Sequence, residues 1–285
     1  MQSLKQIKNR IRSVENTRKV TNAMQMISVA KLNRMDKALY SLRPYFSRLE
    51  SLLNNLLAGA PGISKTFIDK KTTSGKIVLC VVASDNGLCG SYNNNIIRLS
   101  EDFVAARGKE KLELVCIGKR GNVYFNKHGR RIINSYIGLN ANYSQKVSDE
   151  ITDYLIDLFL SGQADEVHIA YTYFKTALIQ QPRIEKFLNI EPDQQTGQPI
   201  NFILEPDISA ILKELIPRYM AMKMRLVLLN AFTCEHASRT VAMKTATENA
   251  HEMISGLVTL RNKVRQANIT QEIMEIIASS EALKG

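Results

Sequence analysis

Residue types able to do chemistry are few along this chain, and their spacing is poor for it. Cys80, Cys89, Cys116 and Cys234 show no CxxC pair and have no histidine pair beside them. Zinc would need such closely spaced ligands. Three of the four sit in or beside apolar runs such as KIVLC and LELVC, where a free cysteine behaves as a small buried hydrophobe. His128, His168, His236 and His251 form no HExxH or other metal pattern. Proximity in sequence assembles neither a Ser–His–Asp set nor a pair of carboxylates. Two glycine-bearing turns, DNGLCG at 85–90 and GKRG at 118–121, stand between strand-like and helix-like segments, where phosphate-binding loops occur. Neither contains GxGxxG or GxxxxGK followed by Ser or Thr, so both read as tight strand-to-helix turns. The expectation is no catalytic residue, no cofactor and no metal.

The elements that would position such residues are more informative. The 285 residues are 45% hydrophobic and 23% charged, which places the chain in the folded class. No apolar run approaches the roughly 20 residues that span a bilayer, and MQSLKQIKNR lacks the apolar stretch of a signal peptide. An intracellular protein without membrane insertion is expected. The formal charge is +11, and residues 1–50 hold eleven Lys and Arg against Glu15, Asp36 and Glu50. A basic stripe of this kind seeks nucleic acid, anionic lipid or an acidic protein surface.

Both ends of the chain carry the alternating 3–4 spacing of supercoiling helices. Leu4, Ile7, Ile11 and Val14 open one stripe, and Leu32, Met35, Leu39 and Leu42 resume it. Arg18, Thr21, Gln25 and Ser28 form a polar middle between them. Pro44 is expected to kink or interrupt this helix before Phe46, Leu49, Leu53 and Leu56 continue the pattern. From Arg218 to Lys284 there is no proline and only Gly256, so a helix of roughly 100 Å is expected. Its stripe has its own polar middle at 233–240. Two weak centres suggest an antiparallel pair in which they lie opposite each other, with residue 1 near residue 260. The last 25 or so residues would then need cover, from a sleeve of other subunits or by folding back on the central domain, because Val264, Ile269, Ile273, Ile276 and Ile277 spread round several faces.

Residues 59–75 read as a linker rich in turn residues. Beyond it, strand patterns at 76–84, 111–118, 131–139, 166–174 and 183–190 alternate with helical ones near 93–107, 119–128 and 147–160. Alternation of this kind predicts a Rossmann-like α/β domain with a mainly parallel sheet. The expected organisation is an N-terminal coiled-coil helix at 1–58, the linker at 59–75, the α/β domain at 76–206 and a C-terminal helix at 207–285 pairing with the first.

Four ordered motifs now carry a resemblance over essentially the whole chain: IKNRIRSVENTRKVTNAMQMISVAKL, SDNGLCGSYN, EPDISAILKELIPRYM, and ASRTVAMKTATENA followed by NKVRQANITQEIMEII. Together they resemble the gamma subunit of F-type ATP synthases, the central rotor stalk. The resemblance implies a non-catalytic axle inside a ring of alpha and beta subunits, with ATP chemistry in the beta subunits. The foot would meet the epsilon subunit and the membrane rotor ring, one copy per complex, at the cytoplasmic face of a bacterial inner membrane. Motif by motif, it implies beta-subunit contacts at Met24, Arg239, Arg265, Gln266, Thr270 and Glu275, and a foot contact at Glu205. Asn86 stands where the family usually has a basic residue, Ser91 where Gly is usual, and Thr240 where Met is usual. The competing readings are a coiled-coil nucleic-acid-binding protein using the basic helix and a small-molecule enzyme in the α/β unit.

Overall fold

The computed structural model describes residues 3–58, 75–108, 112–188 and 207–282. Most of the linker expected at 59–75 lies outside them. Among the described residues, five helices and five strands follow one another as α1 (Leu4–Ala58), β1 (Ile77–Val82), α2 (Tyr92–Arg107), β2 (Leu112–Ile117), α3 (Lys119–Lys127), β3 (Ile132–Tyr136), α4 (Gln145–Leu160), β4 (Glu166–Phe174), β5 (Gln180–Leu188) and α5 (Ile208–Ala282). By backbone proximity the chain forms two compact units, residues 1–27 with 240–285, and residues 28–239.

The larger unit is built on a sheet of order β3-β2-β1-β4-β5. β1 pairs in parallel with β2 and β4, and β2 with β3; β5 closes the edge antiparallel to β4. The sheet is therefore mainly parallel, as the alternating pattern predicts. Side chains of successive strand residues point to opposite faces, and both faces are covered. Ile77, Leu79, Val81, Leu114 and Cys116 pack with Ile96, Ile97 and Val104 of α2 and Phe125 of α3. On the other face, Val78, Cys80, Val82, Val115 and Ile117 meet Ile151, Leu155 and Phe159 of α4, with Leu53 and Leu57 of α1 and Ile216, Met220 and Met224 of α5. Burial on both sides explains why β1 and β2 read as unbroken apolar runs. It also separates Cys80 from Cys116, neighbours in adjacent strands but on opposite faces; all four cysteines are free and buried.

Both long helices begin at side-chain caps. Ser3 and Gln6 satisfy each other's backbone N–H groups in a capping box, the Ser3 N–H donating to Gln6 Oε1 at 3.0 Å. Asp207 accepts the Ala210 N–H at 2.6 Å at the start of α5. Neither helix stops at its proline. α1 runs through Pro44, and α5 begins ten residues before Arg218 and runs through Pro217. A proline inside a helix costs about 3 kcal/mol. Burial of Phe46, Leu53, Leu56 and Leu57 on one helix, and of Leu212, Ile216, Tyr219 and Met220 on the other, offsets that cost.

In the smaller unit the helices pair antiparallel along the expected stripe. Ile7 and Ile11 are buried, and Val14, Arg18, Thr21 and Gln25 are half-buried. The register differs from the expectation. Thr21 and Thr247 share a hydroxyl–hydroxyl hydrogen bond of 2.7 Å, and Arg18 meets His251 Nδ1 at 3.3 Å. Extending that pairing puts residue 260 opposite about residue 8, a shift of roughly 12 Å along the helix. The polar middle at 233–240 is not the partner of 18–28 because its side chains are taken up by the α/β domain.

The turn at Gly118 limits what the fold tolerates. Its φ is +95°, and a Cβ there would stand 2.2 Å from the Ala83 carbonyl oxygen; at Gly129, φ +65°, the space is open. Gly118→Ala is expected to destabilise the chain by roughly 3 kcal/mol or more, combining a left-handed backbone with a backbone clash. Gly129→Ala is expected to cost about 1 kcal/mol. Denaturant titration of the two variants checks the order, and equal midpoints would contradict this packing.

Candidate functional site

In a parallel α/β sheet, ligands sit in the crevice beyond the carboxyl ends of the strands. Here that edge is taken by the chain itself. Asp85, just after β1, accepts the Lys119 N–H at the start of α3 at 2.9 Å, the Gly138 N–H at 3.0 Å and the Asn140 N–H at 2.7 Å. Its carboxylate occupies the place an anion would take at that helix N-terminus. Ser84 Oγ donates to the Asn86 carbonyl at 2.6 Å and accepts from Asn93 Nδ2 at 2.7 Å, while the Ser84 N–H donates to Asn93 Oδ1 at 3.0 Å, which fixes the turn from within. Leu88, Asn140 and Ala141 are the non-glycine residues with positive φ among those described, and all lie in the loops at this edge.

α5 closes the same edge. Arg239 donates to the carbonyls of Asn86 and Gly87 at 3.2 and 3.4 Å and pairs with Glu235 at 2.7 Å. Cys234 Sγ donates to the Thr172 carbonyl, His236 Nε2 meets the Ala141 carbonyl at 3.2 Å, and Tyr92 donates to the Ala231 carbonyl at 3.1 Å. Met35, Leu39, Leu42, Leu229 and Phe174 seal this region. The DNGLCG turn is thus the socket for a helix and not for a phosphate.

Burial shifts the titrations here in opposite senses. The Glu235 carboxyl, 1% exposed, is pushed up to about 7 by burial, against the pull of Arg239 and Lys31 and with that of Asp85. Burial pushes the His236 imidazole down to about 4. On the outer face of the sheet, Glu166 meets His168 at 2.9 Å and Lys186 at 3.2 Å, and the His168 ring lies against Phe103. Burial lowers the His168 pKa, so this cluster reads as a neutral histidine beside an ion pair. Among the described residues, no three His, Cys, Asp or Glu side chains gather as metal ligands would. No described helix is long and apolar enough to cross a membrane.

The second candidate surface is the end of α5. Every residue from 265 to 280 is exposed, including Ile269, Ile273, Met274, Ile276 (68%) and Ile277. Arg265, Gln266, Thr270 and Glu275 lie on this segment. Thr270 donates to the Gln266 carbonyl at 3.0 Å, and Glu275 accepts from Gln271 at 2.9 Å, so both are engaged within the helix. Met24 is half-buried in the paired helices. Arg239 differs from the rest of the set: it is 7% exposed, and its guanidinium is held by its own chain. Glu205 lies outside the described residues. Sequence patterns missed Arg43, Asn230 and Asp85, whose partners are far away along the chain; only the Asp85 position in a strand-to-helix turn hinted at a capping role.

The family model described as ATP synthase matches residues 3–283. The ATP synthase gamma chain of Chlorobium phaeobacteroides is 36% identical over 294 residues, with full coverage of both chains. That of Anaeromyxobacter is 38% identical over 291 residues, again with full coverage. Among solved structures, a chain of the Euglena gracilis mitochondrial ATP synthase, OSCP/F1/c-ring, has a TM-score of 0.71 at 14% identity, covering 98% of this chain and 94% of that one. A central stalk/c-ring structure from Tetrahymena thermophila gives 0.60 at 23% identity, covering 80% and 99%. At those identities the structures attest the fold.

The Glu235 shift has a direct consequence for stability. A carboxyl raised above its unfolded value, near 4.3, favours folding while protonated; that contribution is lost as pH rises through about 7. Glu235→Gln keeps the shape and removes the titration. His236 contributes the opposite trend between about pH 4 and 6.5, so the check is the difference between the two chains: in thermal unfolding the variant should gain on the unaltered chain as pH rises from about 4.3 to about 7. A difference that stays constant across that window would show that Glu235 does not titrate there.

Proposed function

The chain belongs to the family of ATP synthase gamma chains, and from that premise we propose that it is the central rotor stalk of an F-type ATP synthase, coupling ion-driven rotation to conformational change at catalytic sites carried by beta subunits. It takes no catalytic step itself and needs no cofactor. The observation that carries this reading is the bare apolar stripe at the end of α5, where Ile269, Ile273, Ile276 and Ile277 stand exposed along one face of the helix. Water is a poor environment for such a surface, and a sleeve of alpha and beta subunits would bury it.

The mixture of side chains suits a turning part. Apolar contact is non-directional, so an apolar stripe can slide along an apolar sleeve without breaking a fixed set of bonds. Directional hydrogen bonds then decide which angle is favoured. Arg265 and Gln266, about 100° apart on the helix, are proposed to supply them, with Thr270 and Glu275 on the same segment and Met24 on α1. An axle that contacts the beta subunits around it unequally favours a different conformation in each, and this difference couples angle to chemistry. Arg239 is assigned inside the chain, where it holds the DNGLCG turn to α5. Glu205 keeps its proposed place in the foot, towards the epsilon subunit and the membrane rotor ring.

The basic face of α1 fits an acidic loop of a beta subunit better than nucleic acid, since neither the relatives nor the shared fold supports nucleic-acid binding. One copy per complex is proposed, at the cytoplasmic face of a bacterial inner membrane. A tagged chain should bring down ATPase alpha and beta subunits under gentle extraction, and their absence would refute the stalk reading. Arg265→Ala and Gln266→Ala should assemble normally yet slow coupled turnover, each losing a charge-assisted or polar contact of about 1.5–3 kcal/mol. Unchanged torque and unchanged ion transport per ATP in both variants would remove their role.

A further inference from the structure

α1, α5 and β4 meet at a closed ring of hydrogen bonds. The Arg43 guanidinium of α1 donates to the carbonyl of Phe174, the last residue of β4, and to Asn230 Oδ1 of α5 at 3.1 Å. Asn230 Oδ1 also accepts the Phe174 N–H at 3.2 Å, while its Nδ2 donates to the Leu226 carbonyl at 2.8 Å. The terminal residue of β4 is therefore held at both its backbone polar groups, the N–H by one helix and the C=O by the other. The Tyr173 ring lies between two guanidiniums, with Arg43 5.0 Å from its centroid and Arg183 3.8 Å. Asn230 is fully buried.

The remaining contact of α1 with this unit is largely apolar, through residues such as Leu39, Phe46, Leu53 and Leu57. Apolar contacts resist separation but offer little resistance to a helix rolling or sliding by a fraction of a turn. A charge-assisted donor with two acceptors on two other elements resists both, because the planar guanidinium must keep its direction. We propose that Arg43 is a positioning residue for torque, acting through Phe174 and Asn230 to lock α1, α5 and the sheet into one torsionally stiff body. The proposal rests on the rotor reading above. Under it, twist reaching the helices is delivered to the sheet through this ring of bonds, and loosening the ring lets part of each step be absorbed as elastic strain.

The test uses assembled complexes with the catalytic ring fixed to a surface and a probe on the α/β domain. Arg43→Met keeps the aliphatic stem and removes the donors; Arg43→Lys keeps the charge and one nitrogen able to donate twice, as Nη2 does, but loses the planar guanidinium that fixes the direction of those bonds. In Arg43→Met, hydrolysis at saturating ATP should stay close to wild type, while the angular variance of the probe during the ATP-waiting dwell rises about twofold or more. Arg43→Lys should fall between the two. Ions moved per ATP should drop in the same order. A merely structural role would lower thermal stability and leave the angular variance at its wild-type width, and that result overturns the proposal. So does failure of both variants to assemble, which would make the contact one of folding. A wild-type complex that hydrolyses ATP while the probe stays still would instead remove the rotor reading itself.

Discussion

Residues 230–239 of α5 bind the carboxyl ends of three parallel strands, and this one stretch decides what the rest of the molecule can be. Asn230 takes the end of β4, Cys234 the Thr172 carbonyl within it, His236 the loop after β3, and Arg239 the turn after β1. Cys234, His236 and Arg239 donate to backbone carbonyls and Asn230 accepts a backbone N–H; leaving such a group buried without a partner costs about 1–3 kcal/mol. The same contacts fill the edge where an α/β sheet would hold a nucleotide, and Asp85 fills the helix N-terminus beside it. The domain has the frame of a nucleotide-binding fold with the ligand position taken by its own helix.

Along its 75 residues α5 passes through three environments. It begins in the apolar core of the larger unit, becomes polar where it meets the strand ends, and then shows one stripe to α1 before its last segment shows none. Each section matches its surroundings: Met220 and Met224 in the core, Arg239 at the carbonyls, Thr247 opposite Thr21, and Ile273 and Ile276 bare. Directional bonds are dense where the helix must not turn against the sheet and sparse where its surface awaits a partner. A stiff base with an apolar end is the division of labour that an axle requires.

Much of this was legible from residues alone. β4 coincides with the run EVHIAYTYF, and β1 falls within KIVLCVVAS because burial on both faces leaves an unbroken apolar pattern. The bare tip was legible too, since no part of α1 reaches Ile269, Ile273, Ile276 and Ile277 in the expected pairing. The helix register was not. Polarity at 233–240 looked like a weak centre of a coiled coil, but a sequence pattern cannot say whether a neighbouring helix or a strand end satisfies a polar side chain. Pro44 misled for a related reason: the local penalty is real, and tertiary burial outweighs it. Arg43 looked like one more charge on a basic helix because its acceptors lie 131 and 187 residues away.

Rotation itself is the most direct test of the account. With the catalytic ring immobilised and a probe fixed to the α/β domain of the intact chain, added ATP should drive turning in one sense, ceasing when ATP is removed. ATP hydrolysed at full rate past a stationary probe would contradict the account.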